Sequence, residues 1–76
     1  MVEFESLKTE EISFGNNNFF EVARKIAKTP NGEREFISLS KGFIMPNGEK
    51  RYRRSIALPL DKEVVDFIAD KIREML

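Results

Sequence analysis

The motif Pro30-Asn31-Gly32-Glu33 recurs as Pro46-Asn47-Gly48-Glu49, sixteen positions further along the chain. Asn-Gly is the strongest short-range hairpin signal, because both residues tolerate the positive φ of a tight reversal. Two such turns bracketing one stretch of chain demand a central strand, from Arg34 to about Met45, paired on both sides. Its partners are Phe19 to Lys28 before the first turn and Lys50 to about Leu58 after the second. A shorter strand, Ile12-Ser13-Phe14, precedes Gly15-Asn16-Asn17-Asn18, whose residues suit another tight reversal. Gly42, inside the long central strand, marks a bulge or bend.

From Asp61 to Leu76 the apolar period changes from two to 3.6, with Val64, Val65, Ile68, Ile72, Met75 and Leu76 on one side. Asp61 is placed to cap this helix, and Pro59 helps to end the strand before it. Phe67 and Ala69 form a second apolar edge. The fold class predicted is α+β: a four-stranded antiparallel β-meander followed by one C-terminal amphipathic helix. Residues 12–76 form one ββββα domain, and residues 1–11 an acidic leader, read either as a flexible arm or as an extra edge strand. A chain of 76 residues holds one small core, and it has no cysteine with which to staple it. Self-association through the helix or a strand edge is the expected remedy, so a homodimer is predicted.

Alternation assigns the two faces of the sheet. Phe20, Val22, Ile26, Ile37, Leu39, Phe43, Ile56 and Leu58 form the parity-consistent apolar set, expected to lie under the helix. The opposite, open face then receives Phe19, Ala23, Lys25, Ala27, Arg34, Phe36, Ser38, Ser40, Arg51, Arg53, Ser55 and Ala57. Tyr52 and Arg54 point to the covered face by parity, unless a bulge near Gly42 reverses it.

The thirteen basic and thirteen acidic side chains cancel, but they are segregated. Residues 1–21 carry five acids and one base, residues 22–54 nine bases and three acids, and residues 55–76 five acids and three bases. A polyanion responds to the local field of a patch, so a neutral chain arranged in this way can hold phosphates. Within the basic block, Lys50-Arg51-Tyr52-Arg53-Arg54 sets four cations around one ring. Cations for the backbone, rings for stacking and small residues for close approach are what single-stranded nucleic acid needs. The candidate phosphate contacts are Lys25, Lys28, Arg34, Lys41, Lys50, Arg51, Arg53 and Arg54; the candidate stacking rings are Phe19, Phe36, Phe43 and Tyr52. Only some of these can share one surface. The helix, with Asp61, Glu63, Asp66, Asp70 and Glu74, is too acidic to enter a duplex groove.

Other chemistries find little support. With no histidine and no cysteine, the usual general base, nucleophilic thiolate and common metal ligands are missing, and no cofactor or metal is expected. The carboxylates of Glu10, Glu11, Glu33 and Glu49 have no nucleophile and orienting group beside them, so the chain is not read as an enzyme. No glycine-rich turn leads into a helix to form a phosphate loop. There is neither an apolar run of membrane-spanning length nor a secretion signal at Met1-Val2-Glu3-Phe4-Glu5, and an intracellular location, cytoplasmic or nucleoid, is expected.

Taken as an ordered set, these segments resemble the single-stranded-DNA-binding domain of the transcriptional positive cofactor four family, related in fold to the plant Whirly proteins. Ile12-Ser13-Phe14-Gly15-Asn16-Asn17-Asn18-Phe19-Phe20-Glu21-Val22 is similar to the family's first hairpin. Ile37-Ser38-Leu39 is similar to its central strand, and Phe43 falls where the family has an aromatic used against bases. Pro46-Asn47-Gly48-Glu49-Lys50 resembles its second turn, and Arg53-Arg54-Ser55-Ile56-Ala57-Leu58 its basic pair and strand ending before the helix. The likeness covers about residues 12 to 74. It departs from the family at Ser40, where an arginine is usual, and at Asn18, where a basic residue is usual. The resemblance implies a homodimeric, largely sequence-independent binder of single strands, DNA ahead of RNA, acting beside the transcription, replication or repair machinery. The alternative is a protein-interaction module that docks on an acidic partner of the transcription machinery without binding nucleic acid.

Overall fold

The computed structural model describes residues 2–76. Four strands, β1 (Glu3–Phe14), β2 (Asn18–Thr29), β3 (Gly32–Ile44) and β4 (Lys50–Leu58), precede one helix, α1 (Lys62–Glu74). The strands pair antiparallel in the order β1-β2-β3-β4, a plain meander. The fold expected from the turns and the change of period is therefore present. The acidic leader is neither a free arm nor a fifth strand: from Glu3 onward it continues β1, with one bulge between Ser6 and Lys8.

The two repeated turns use their glycines rather than their asparagines for the reversal. Gly32 and Gly48 have φ of 133° and 90°, whereas neither Asn31 nor Asn47 takes a positive φ. Pro46 and Asn47 are the inner residues of a turn closed by Gly48 N–H donating to the Met45 carbonyl at 2.8 Å. Met45 N–H then donates to the Glu49 carbonyl at 2.7 Å, as in a turn followed by a glycine bulge. Side chains lock both corners: the Thr29 hydroxyl accepts from Asn31 N–H at 3.2 Å, and Asn47 Oδ1 accepts from Glu49 N–H at 3.0 Å.

At the head of α1 the Asp61 carboxylate accepts from Glu63 N–H at 3.0 Å and from Val64 N–H at 3.4 Å, which is the cap expected from the sequence. Lys71 and Arg73 in the last turn complement the carbonyl end. The helix buries none of its residues, and Phe67 and Ile72 are 62% and 56% exposed. It is not long and apolar enough to cross a membrane.

Parity groups the side chains of β2, β3 and the Arg54–Leu58 part of β4 as expected, but the covered face is the other one. The front face, with Phe19, Glu21, Ala23, Ser38, Ser40 and Gly42, holds every buried residue among those described. On the back face, expected to form the core beneath the helix, Val22 and Ile56 are exposed while Phe20, Ile26, Ile37, Leu39, Phe43 and Leu58 are half-buried. The reason is local. Strands are spaced about 4.8 Å apart, so β1 and β4 lie about 14 Å from one another across the sheet. Lys50 on β4 spans this gap to pair with Glu11 on β1, and its ammonium passes 5.4 Å from the centre of the Phe19 ring. Tyr52 meets the same ring edge-on at 5.3 Å. The sheet's own side chains thus roof the front face. Further along the same face Ser38, Ser40 and Ser55 share hydrogen bonds of 3.0 to 3.4 Å, which satisfies the buried hydroxyls of Ser38 and Ser40.

The bulge expected at Gly42 is present, with its extra residue in the neighbouring strand: Lys41 faces Arg54, Gly42 faces Tyr52, and Arg53 stands unpaired between them. A side chain at Gly42 would overlap the Arg51 carbonyl oxygen and come within 3.0 Å of the Phe19 ring. The carbonyl cannot withdraw without disturbing the β3–β4 pairing, and the ring is packed in the interior. Gly42→Ala is therefore expected to cost about 1–3 kcal/mol, read as a lower urea midpoint with unchanged slope. An unchanged midpoint would mean that the β4 backbone adjusts freely.

Candidate nucleic-acid interface

The bulge divides the run Lys50-Arg51-Tyr52-Arg53-Arg54 between the faces. Lys50 and Tyr52 turn to the front, where they cover Phe19. Arg51 stands opposite Phe43 and Arg54 opposite Lys41, so both share the back face with those residues. The extra residue, Arg53, sets its guanidinium 5.8 Å from the centre of the Phe43 ring. Arg51 and Arg53 were expected beside Phe19 and Phe36; the inserted residue shifts the alternation of β4 and brings them to Phe43 instead. Arg54 keeps its expected face, and Tyr52 changes sides.

Asn18, Lys41, Gly42, Phe43, Arg53 and Arg54 line an open hollow of about 350 Å³ at this end of the back face. Lys41 places its ammonium 5.9 Å from the centre of the Phe20 ring, and Phe20 stacks on Phe14 at 5.1 Å with planes 17° apart. Three rings and four cations from β1, β2, β3 and β4 therefore meet in one region. Phe14, Asn18 and Phe20 were not among the site residues read from the sequence. Their signal was the back-face alternation itself, since Ile12 and Phe14 continue the parity of Phe20 across the first hairpin.

Ion pairing decides which cations are available. Arg24 pairs with Glu35 at 3.0 Å, Lys28 with Glu5 at 2.8 Å and Lys50 with Glu11, while the helical Lys62, Lys71 and Arg73 pair with Asp66, Glu74 and Asp70. The Glu5 carboxylate raises the Lys28 pKa above its ordinary value, and Lys28 in turn lowers that of Glu5. The Glu11 carboxylate raises the Lys50 pKa in the same way. Among the described residues, Lys41, Arg51, Arg53 and Arg54 have no carboxylate within ion-pair distance, nor do Lys8, Lys25 and Arg34. Lys28 and Lys50, proposed from the sequence as phosphate contacts, are thus each paired with a carboxylate of β1.

The remaining expected residues fall elsewhere. Phe19 is fully buried and has no face to offer a base. Tyr52 donates its hydroxyl proton to Glu21 Oε2 at 2.8 Å, which ties it to the front face. Lys25 lies opposite Phe36, and Arg34 opposite Ala27, toward the far end of that face. Phe36 is half-buried, edge-on to Phe4 at 6.1 Å and 85°. Among the described residues no group of three or more acidic side chains is arranged to hold a metal ion. No protein-family model matches the chain, and no match was found among curated proteins or solved structures.

The hydrogen bond to the Glu21 carboxylate, then burial, hold the Tyr52 phenol above its ordinary pKa. Tyr52 is the one tyrosine, and there is no tryptophan, so ultraviolet absorbance reports this group alone. Its alkaline titration midpoint should lie above that of free tyrosine, and Glu21→Gln should move it back down. A group raised by folding contributes stability that is fully present below the unfolded-state pKa and is lost as pH rises through the folded-state one. Thermal scans across that window should show stability falling in parallel with phenolate formation. A midpoint at the free-tyrosine value would show that the Tyr52–Glu21 bond is not kept in solution.

Proposed function

We propose that this protein binds single-stranded nucleic acid, DNA ahead of RNA and with little regard to sequence, at the Phe43 end of its back face. The observation that carries the reading is the convergence of Lys41, Arg51, Arg53 and Arg54, four cations without acidic partners among the described residues, around an accessible aromatic hollow. Like charges gathered in this way repel one another, and a phosphate backbone relieves that repulsion while releasing its own counterions. Phe43 and Phe20 supply rings on which bases can stack. The hollow is open and fed from a flat strand surface, which suits a flexible single strand better than a duplex. The resemblance to the positive cofactor four family supports the same reading, since Phe43 and the Arg53-Arg54 pair are among the residues that carry it.

The protein acts, on this reading, as a homodimer. Phe19 and Ala23 are the buried apolar residues among those described, a small core for a chain of this length. Val64, Phe67 and Ile72 on the helix, and Val22 and Ile56 on the back face, are left in water. Leu60, just before the helix, borders an apolar hollow with Val22 and Ile37. A second copy that lays its helix along this middle part of the back face would cover both sets and leave the basic end open. The roles implied by the resemblance, beside the transcription, replication or repair machinery, belong to the same proposal.

Fluorescence anisotropy with labelled single-stranded and duplex oligonucleotides of equal length tests the binding. Single strands should bind more tightly, with log K falling against log salt at a slope of about −3, from about 0.7 per phosphate neutralised by four cations. Arg53→Glu with Arg54→Glu should abolish most of that salt dependence, and Phe43→Ala should cost about 1–3 kcal/mol. Absence of binding by a folded protein would overturn the reading in favour of an acidic protein partner. Sedimentation equilibrium tests the assembly: the parent should be dimeric, and Ile72→Glu should be monomeric and less stable, whereas a parent monomeric at micromolar concentration would refute it.

A further inference from the structure

We propose that the front face carries a second, independent track for a single strand, so that one chain holds two strands, one on each side of its sheet. The proposal rests on the same ligand class as the proposed function but on different residues. Once the ion pairs are accounted for, the unpaired cations of β2, β3 and β4 fall into two groups. Lys41, Arg51, Arg53 and Arg54 share the back face, whereas Lys25 and Arg34 share the front face, toward its opposite end.

Around Lys25 and Arg34 the front face repeats the chemistry of the other site in a different form. Two adjoining hollows, of about 610 and 350 Å³, have Phe4, Phe36 and Ala57 in common. Arg34 borders the larger and Lys25 the smaller. Lys25 stands directly across from Phe36, and Arg34 lies on the diagonal from Lys25, a separation of about 7–8 Å between cross-strand neighbours of this kind. Two cations flanking one aromatic pair is the arrangement required by a stacked base with a phosphate on either side. Phe4 is 65% exposed and meets Phe36 edge-on, so a ring is open to a base. Ala27, Ser38, Ser55 and Ala57 line the hollows with short side chains, over which a strand can lie close to the sheet. Glu35 also borders the larger hollow, but its carboxylate is held by Arg24.

The sheet itself separates the two tracks, and a strand lying on one face leaves the other free. A chain with one track anchors a strand; a chain with two holds separate strands side by side. The expected activity is therefore bridging of two single strands, and with it the promotion of annealing when they are complementary.

The test is a stoichiometric titration with a labelled oligothymidylate too short to wrap around the sheet edge, at protein concentrations well above the dissociation constant. Two oligonucleotides per chain are expected. Arg53→Glu with Arg54→Glu should reduce this to one, Lys25→Gln with Arg34→Gln should also leave one, and the four changes together should leave none. Circular dichroism confirms that each variant is folded, and Phe4→Ala, at an exposed position, serves as a second front-face variant. One oligonucleotide per chain, with the Lys25 and Arg34 changes without effect, would overturn the second track and leave the proposed function standing. One per chain that is lost with Lys25 and Arg34 but kept without Arg53 and Arg54 would overturn the back-face site and the two-track proposal together. No binding by the parent protein would overturn both readings. Energy transfer between donor- and acceptor-labelled non-complementary strands gives the bridging readout. Because a one-site dimer would also bring two strands together, the stoichiometry per chain decides.

Discussion

The close approach of the Arg51 carbonyl to Gly42 governs the arrangement of both faces. Only a residue without a side chain lets β4 come so near β3 at that point, and there the extra residue Arg53 is accommodated. The inserted residue turns Tyr52 inward over Phe19 and sends Arg51 to the side of Phe43. Had β4 kept a strict alternation, the ring would have stood among the arginines and Phe19 would have lacked its cover. One backbone contact therefore covers the Phe19 end of the front face and brings Arg51 and Arg53 to the back.

Charge in this molecule is sorted rather than simply balanced. The sequence as a whole is neutral, yet ion pairs hold Arg24, Lys28, Lys50 and the helical cations beside carboxylates. These pairs are solvent-exposed and contribute little to stability, of the order of 0–1 kcal/mol each. Their larger effect is on placement, because Glu5 and Glu11 of β1 and Asp66, Asp70 and Glu74 of α1 each hold a cation. Among the unpaired cations, Lys41 and Arg53 lie beside Phe20 and Phe43, and Lys25 stands across from Phe36.

Much of the architecture was legible in the sequence because local chemistry determines it. The Pro-Asn-Gly turns, the change of apolar period and the Asp61 cap each act over a few residues, and each produced the element expected. The alternation of β2 and β3 also sorted their side chains correctly into two sets. Which set would be buried was not legible, because that depends on Lys50 reaching Glu11 and on Tyr52 reaching Glu21, contacts between residues 39 and 31 positions apart. The same limit affected the candidate site: the sequence reading named Phe43, Arg53 and Arg54, which line one hollow, but it also named Phe19, which forms the interior. The single residue inserted in β4 left its trace in the sequence only as Gly42. In β1 the acidic leader was read as a flexible arm or an extra edge strand; the strand is exposed along its whole length, so no apolar alternation marked the leader as a continuation of Ile12-Ser13-Phe14.

The Lys50–Glu11 pair also bears on how the chain reaches this structure. A meander assembles from neighbouring hairpins, each closing a short loop at modest entropic cost, and such local topologies fold quickly. The link from the first strand to the last adds nothing to any single hairpin and can form only after all three are in register. It therefore belongs to the late, downhill side of the folding barrier, where a contact slows unfolding without hastening folding. The pair's small contribution is therefore expected in the unfolding rate, as a slowing of up to about fivefold.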